Sequence, residues 1–225
     1  MKVLVIDTAL NACTAAVFED GRVLGVRSEL MVKGHQERIA GLVRDAVADA
    51  GGFDGIDRIG VTVGPGAFTG LRVGLSFAHG LGAALGVPVV GVSTLAALAR
   101  TQDEGVGATA AVIDARRGQV YVQTFRDGEP AMEPTALSLD AAREALSSEP
   151  WLWAGSGAAL VTDTPIADAV TTATPEALAD LTIAADPSSA PPAPLYLRAP
   201  DATPPTRLPG QPRPATPNPP VTAPA

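Results

Sequence analysis

At 225 residues, 46% of them hydrophobic and 18% charged, the chain has a globular composition and the length for one large domain or two small ones. Its formal net charge of −8 argues against unaided nucleic-acid binding, which needs a basic face to displace counterions, and leaves Arg116-Arg117 as the one local basic pair. Cys13 is single, so no internal disulfide can form, and the four-residue apolar run before Asp7 is too short for a signal core or a membrane span. The expectation is a cytoplasmic protein with no membrane association.

Three strands open the chain, at 3–6, 15–19 and 23–29, and Asp20-Gly21 between the last two is a hairpin signal. Ile39, Leu42, Val43, Ala46, Val47 and Ala50 recur at three-and-four spacing and predict an amphipathic helix over 36–50, stopped by Gly51-Gly52. A fourth strand at 57–63 runs into the glycine-rich stretch GPGAFTGLRVG. A helix over 69–85, a strand at 87–92 and a short helix over 93–101 follow. The βββαβαβ order across residues 1–102 is that of a ribonuclease-H-like lobe, an α/β unit with a mixed sheet covered by helices.

Residues 103–200 read as a smaller lobe of related topology. It has a strand at 108–113, the turn ARRGQ, a return strand at 120–126, a helix over 138–146, a strand at WLWAG and a helix over 175–185. Most of the chain's 21 prolines fall after position 186. There PLYLR (194–198) is expected to dock on the body as a short strand, and 201–225 to form a Pro-rich mobile tail.

Two constellations could carry function. Asp7 ends the first strand before a tight turn and a strand of small residues, the form of the first phosphate loop in actin-like ATPases. In that reading Asp7 holds a metal or a water, Thr8 and the turn amides meet a phosphate, and Gly64 and Gly66 let ATP or ADP come close. Thr8 and Ala9 stand where that superfamily favours glycine, and an aspartate that ends a strand and organises a turn accounts for the same residues.

The second constellation is the row Gly70, Gly74, Ala78, Gly82 on the 69–85 helix. Each interior glycine costs a helix about 1 kcal/mol relative to alanine, so the row needs a close backbone neighbour. Val73, Phe77, Leu81 and Leu85, on the adjacent row, suffice to cover the chain's own sheet. The small row is then left for the 36–50 helix of the same lobe or for another subunit. No metal pair is visible, because His35 and His79 are far apart and the position four after His35 is Ile39. Ser76, Ser156 and Cys13 have no acid–base context.

Taken together and in register, KVLVIDTALNACTAAVFEDG, GPGAFTGLRVG, GVPVVGVSTLAALA, VIDARRGQVYVQTF and the late PLYLR resemble the TsaB (YeaZ) family. The match is continuous over roughly 1–125 and resumes at 194–198. The resemblance implies two lobes of the actin-like, ribonuclease-H-like superfold and a part in making threonylcarbamoyladenosine beside the anticodon of bacterial tRNA. It further implies a non-catalytic subunit that stabilises and activates a TsaD-like transferase, joined by a TsaE-like ATPase, with homodimers when alone and tRNA met only through the complex. Contacts would use the helices of the first lobe, with Ile39, Val43, Gly70, Gly74, Ala78 and Gly82 at the interface. No intrinsic cofactor is expected. The catalytic relative carries a metal-binding histidine pair, which His35 and Ile39 here do not reproduce. The alternative is an actin-fold phosphotransferase or ATPase working through Asp7 and the first hairpin turn.

Overall fold

The computed structural model describes residues 1–103, 107–148, 150–163, 165–166 and 170–198; the Pro-rich tail 201–225 lies outside the described residues. The first half runs β1 (Lys2–Asp7), β2 (Ala12–Glu19), β3 (Arg22–Leu30), α1 (His35–Asp49), β4 (Ile56–Gly64), α2 (Phe68–Leu85), β5 (Val89–Ser93) and α3 (Thr94–Asp103). Its sheet has the order β3-β2-β1-β4-β5, with β1, β2 and β3 antiparallel neighbours and β4 and β5 parallel to β1. This is the ribonuclease-H-like order that the element pattern predicts.

Strand β1 is apolar on both faces because both are covered. Leu4 and Ile6 point to one side, into a core with Ile39, Leu42 and Val43 of α1 and Leu75 of α2. Val3 and Val5 point to the other, against Leu178 and Ala179 near the end of the chain. The period-two alternation therefore separates two cores rather than core from solvent.

The second half repeats the plan in shorter pieces: β6 (Ala108–Arg116), β7 (Gln119–Arg126), β8 (Glu129–Pro130), β9 (Thr135–Ser138), α4 (Leu139–Ala145), β10 (Leu152–Ala154), α5 (Ala158–Val161) and α6 (Pro175–Ala184). β7 pairs antiparallel with β6, β10 is parallel to β6, and β8 and β9 share the far side of β7 in the place of a single third strand. A lone parallel bridge between Ala154 and Val170 stands where the first sheet has β5. Ser138 and Thr174 accept from the amides of Ala141 and Ala177 and so cap α4 and α6, and Pro175 opens α6 where its missing N–H costs nothing.

The two halves exchange their last helices. Leu95 and Leu98 of α3 are buried against Ala111, Ile113 and Phe125 of the second sheet, whereas α6 covers the first sheet. α3 and α6 thus form a shared layer between the sheets, with α1 and α2 outside one and α4 and α5 outside the other. After a turn at 187–189, in which the Ser189 and Ala190 amides donate to the Asp186 carbonyl, residues 191–198 follow the first lobe without forming a ladder, so the short strand expected at PLYLR is an irregular segment held by single bonds.

Candidate functional site

The Asp7 turn is the first place to look for chemistry. Asp7 is buried, and its Oδ1 accepts from the Ala9 amide at 2.9 Å and from the Thr62 hydroxyl at 2.8 Å. The first bond closes the turn between β1 and β2; the second ties it to β4. Burial holds the carboxyl above its ordinary range, and these two hydrogen bonds and His35 only partly offset that.

Thr8 is fully buried, and its hydroxyl donates to the carbonyl of Gly70 at 2.8 Å. The Ala67 amide donates to the Ala9 carbonyl at 2.8 Å. The first turn of α2 therefore lies directly on the Asp7 turn. Gly64 has φ of 109°, a conformation that favours glycine, and a side chain on Gly66 would collide with the Ala9 backbone. Asp7, Thr8, Gly64 and Gly66 do come together, and what fills the space between them is the chain's own helix.

The glycine row requires a correction. A Cβ at Gly70 would overlap the Thr8 carbonyl, one at Gly74 the Thr8 hydroxyl, and one at Gly82 a methyl of Val89. Gly70, Gly74, Ala78 and Gly82 face their own sheet and are buried there. Ile39 and Val43 are likewise buried, in the core beneath α1. None of the six offers appreciable surface to another protein. The physical reason is that a helix without side chains on one row can sit closer to the sheet than one presenting valine and phenylalanine. The small row takes the sheet, and Val73, Phe77, Leu81 and Leu85 pack at the edge of the same core, half-buried.

That exchange leaves an apolar groove on the outside of α1 and α2, with a volume of about 630 Å³, lined by Gln36, Phe68, Arg72, Val73, Ser76 and Phe77 over the buried Ile39. Phe68 is 56% exposed at the start of α2. Tyr196 stacks on it, ring centroids 5.6 Å apart, and the Arg72 guanidinium lies 3.9 Å above the Phe68 ring. The spacing of apolar residues does not single out this cluster. The one signal for it is an aromatic at the first position of a helix whose buried side is complete without it.

The histidines are both engaged by backbone. His35, buried at the start of α1, meets the Leu10 carbonyl at 3.2 Å, and exposed His79 meets the Pro192 carbonyl at 3.0 Å. Among the described residues no three His, Cys, Asp or Glu side chains are grouped to hold a metal ion, and no helix is long and apolar enough to cross a membrane. The Cys13 thiol is buried in β2, which together with the nearby Asp7 charge pushes its pKa up to about 11.

The model of the family described as TsaD, tRNA N6-adenosine threonylcarbamoyltransferase, matches residues 16–150. A solved structure, YeaZ from Pseudomonas aeruginosa, superimposes with a TM-score of 0.71 at 30% identity, covering 87% of this chain and 99% of that one. The chain belongs to the TsaB/YeaZ family. The tRNA threonylcarbamoyladenosine biosynthesis protein TsaB of Escherichia coli is 39% identical over 132 residues, 57% of this chain and 57% of that protein. The Bacillus subtilis TsaB is 31% identical over 127 residues, 56% of each. The chain thus matches little more than half the length of these curated relatives.

The TsaD-type match spans most of the first lobe and the start of the second. Residues 16–150 contain α1, α2 and both central hairpin strands of the second lobe, so this chain and a threonylcarbamoyltransferase share the fold that carries the groove. The repetition inside the chain also becomes legible in three dimensions. Val5-Ile6-Asp7 ends β1 and Val112-Ile113-Asp114 lies near the end of β6. Each aspartate accepts from the amide two residues on, Asp114 from Arg116 at 2.7 Å. Gly64-Pro65-Gly66-Ala67 begins at the last residue of β4 and Gly155-Ser156-Gly157-Ala158 follows β10, the matching strands of the two sheets.

Proposed function

We infer that this chain acts in the synthesis of threonylcarbamoyladenosine in tRNA as an accessory subunit. It pairs with and activates a TsaD-like transferase through the outer face of α1 and α2. The observation that carries this reading is the groove lined by Phe68, Val73 and Phe77, an apolar face on a lobe related to the transferase itself. Two related lobes that present the same pair of helices can meet about a pseudo-twofold axis, each helix pair covering the other. Aromatic and arginine side chains at such a face are the residue types that dominate interface energetics.

The Asp7 turn has a structural part in this reading, and no intrinsic nucleotide is required. What supports this is the seating of α2 on the turn: the Thr8 hydroxyl is taken by the Gly70 carbonyl, and Gly66 lies against Ala9. Transfer of the threonylcarbamoyl group then belongs to the partner, and so does most tRNA contact, since this chain is acidic. A TsaE-like ATPase joins the pair, and alone the chain uses the same face to form homodimers.

The test is to mix the purified chain with its cognate TsaD-like subunit, measure the mass of the product by light scattering, and assay transfer to tRNA. The expected result is a one-to-one complex, with transfer appearing only in the mixture. Transfer by this chain alone, or failure of the two to associate, would overturn the assignment.

A further inference from the structure

Several hydrogen bonds fasten the segment after α6 to both lobes, His79 meeting the Pro192 carbonyl at 3.0 Å among them. The Ala190 carbonyl accepts from the Gly91 amide at 3.0 Å, on β5 at the edge of the first sheet. The Leu195 amide donates to the Val63 carbonyl at 2.7 Å, at the register shift between Thr62 and Gly64 in the β4–β5 pairing. Arg198 Nη1 donates to the Ala115 carbonyl at 3.1 Å, near the end of β6 in the second lobe. Tyr196 lies between the last two anchors.

From that position Tyr196 reaches α2. Its hydroxyl accepts from Arg72 Nε at 3.1 Å while its ring stacks on Phe68. Arg72 in turn covers the Phe68 ring, so the three side chains close a ring of contacts. Phe68 and Tyr196 remain 56% and 46% exposed, and Phe68 and Arg72 line the groove. Exposed arginine and aromatic side chains ordinarily sample several rotamers, and ordering them on association weakens binding. Here both side chains are in contact with a residue more than a hundred positions away in sequence.

We propose that Tyr196 is a positioning residue for the α1–α2 face: anchored through Leu195 and Arg198, it holds Phe68 and Arg72 in their groove-lining conformations before a partner arrives. The proposal rests on the accessory-subunit reading above. The occupant is the TsaD-like subunit, presenting an apolar side chain to the space between Phe68, Val73 and Phe77 and a carboxylate to the outward edge of the Arg72 guanidinium. Arg72 gives this groove a cation on a chain of net charge −8, which favours an acidic neighbour at that spot. The C-terminal segment is then part of the contact site, although it makes no strand and belongs to neither sheet.

The experiment uses the full chain and its TsaD-like partner, with dissociation constants from calorimetry for wild type, Tyr196→Ala, Tyr196→Phe and Phe68→Ala. Tyr196→Ala is expected to weaken pairing roughly tenfold, and Tyr196→Phe, which keeps the stack, by less than about threefold. Melting temperatures should stay within about 2 °C of wild type. In the unpaired chain, nitrogen relaxation at Arg72 Nε should report faster motion in Tyr196→Ala than in wild type. Wild-type affinity in Tyr196→Ala, with Phe68→Ala weakened, would overturn the positioning role and leave the face in place. Equal weakening by Tyr196→Phe and Tyr196→Ala would overturn the role of the stack. No pairing by the wild-type chain would instead overturn the accessory-subunit reading.

Discussion

The Thr8 hydroxyl and the Gly70 carbonyl lie 2.8 Å apart, and this bond fixes which side of α2 is inside the protein. Gly74, one turn on, is so close to the same threonine that an added Cβ would collide with its hydroxyl. Gly74→Ala should therefore destabilise the fold even though alanine is the better helix former by about 1 kcal/mol. Overpacking of a buried contact typically costs about 1–3 kcal/mol, which for a chain of this size lowers the melting temperature by several degrees. Thermal and urea denaturation check this. A Gly74→Ala protein as stable as wild type would mean that the row does not bear on the sheet.

A substitution on the opposite side of the same helix should do the reverse. Ser76 is exposed and lines the groove. Ser76→Arg places a long charged side chain across the apolar face without touching the core. Folding should be unchanged within about 0.5 kcal/mol, as for most surface changes. Pairing with a TsaD-like subunit should fall at least tenfold, read by titration calorimetry. Normal pairing would place the contact elsewhere.

The contrast between Gly74 and Ser76 shows what the sequence disclosed and what it withheld. Spacing alone located α2, its small-residue row and the need for a close neighbour, because three glycines in one i+4 row (Gly70, Gly74 and Gly82) weaken a helix unless something approaches its backbone. It did not identify the neighbour. Counting Val73, Phe77, Leu81 and Leu85 as enough to cover the sheet overlooked that the smoother row can approach more closely. The first lobe was otherwise legible, since its strands and helices are long and periodic. In the second, β8 has two residues and α5 has four, too short for any period to register. The exchange of α3 and α6 between the halves left no local trace, because burial on a distant sheet and burial on the adjacent one demand the same apolar pattern. Tyr196 could be named only once Phe68 was seen beside it.

Asp7 offers a test by pH. Burial raises its pKa above the ordinary carboxylate value of about 3.9, so the folded chain binds this proton more tightly than the unfolded chain does. Below the unfolded value the side chain is protonated in both states and carries no penalty. As pH rises through the raised folded value, the charged form must be buried and stability falls. Asp7→Asn retains an oxygen acceptor for Ala9 and Thr62 and removes the charge. Its stability relative to wild type should grow from acid towards neutral pH and then level off. A difference independent of pH between about 4 and 8 would show that the carboxylate is not penalised. Nucleotide titration of both proteins provides a separate check, and tight ATP binding lost in Asp7→Asn would restore the phosphate-loop reading.

Arg58 tests the exchange of helices between the halves. It projects from β4, and its Nη1 donates to the carbonyls of Thr182 at 2.9 Å and Ala185 at 2.5 Å, at the C-terminal end of α6. A guanidinium there satisfies carbonyls that have no helical partner and complements the negative end of the helix dipole. Arg58→Met keeps much of the apolar stem and deletes the donors. Hydrogen bonds from charged groups contribute about 1.5–3 kcal/mol, so a loss of that order is expected. The consequence should extend beyond one helix end, because Leu178 and Ala179 of α6 cover Val3 and Val5 of β1. Amide exchange in α6 should quicken together with that of β1, while α4 on the far side of the second sheet stays protected. Arg58→Lys, one donor group in place of a fork, should recover only part of the loss. If α6 loosened with β1 unchanged, or neither responded, the last helix would not be holding the first sheet in the way its position implies.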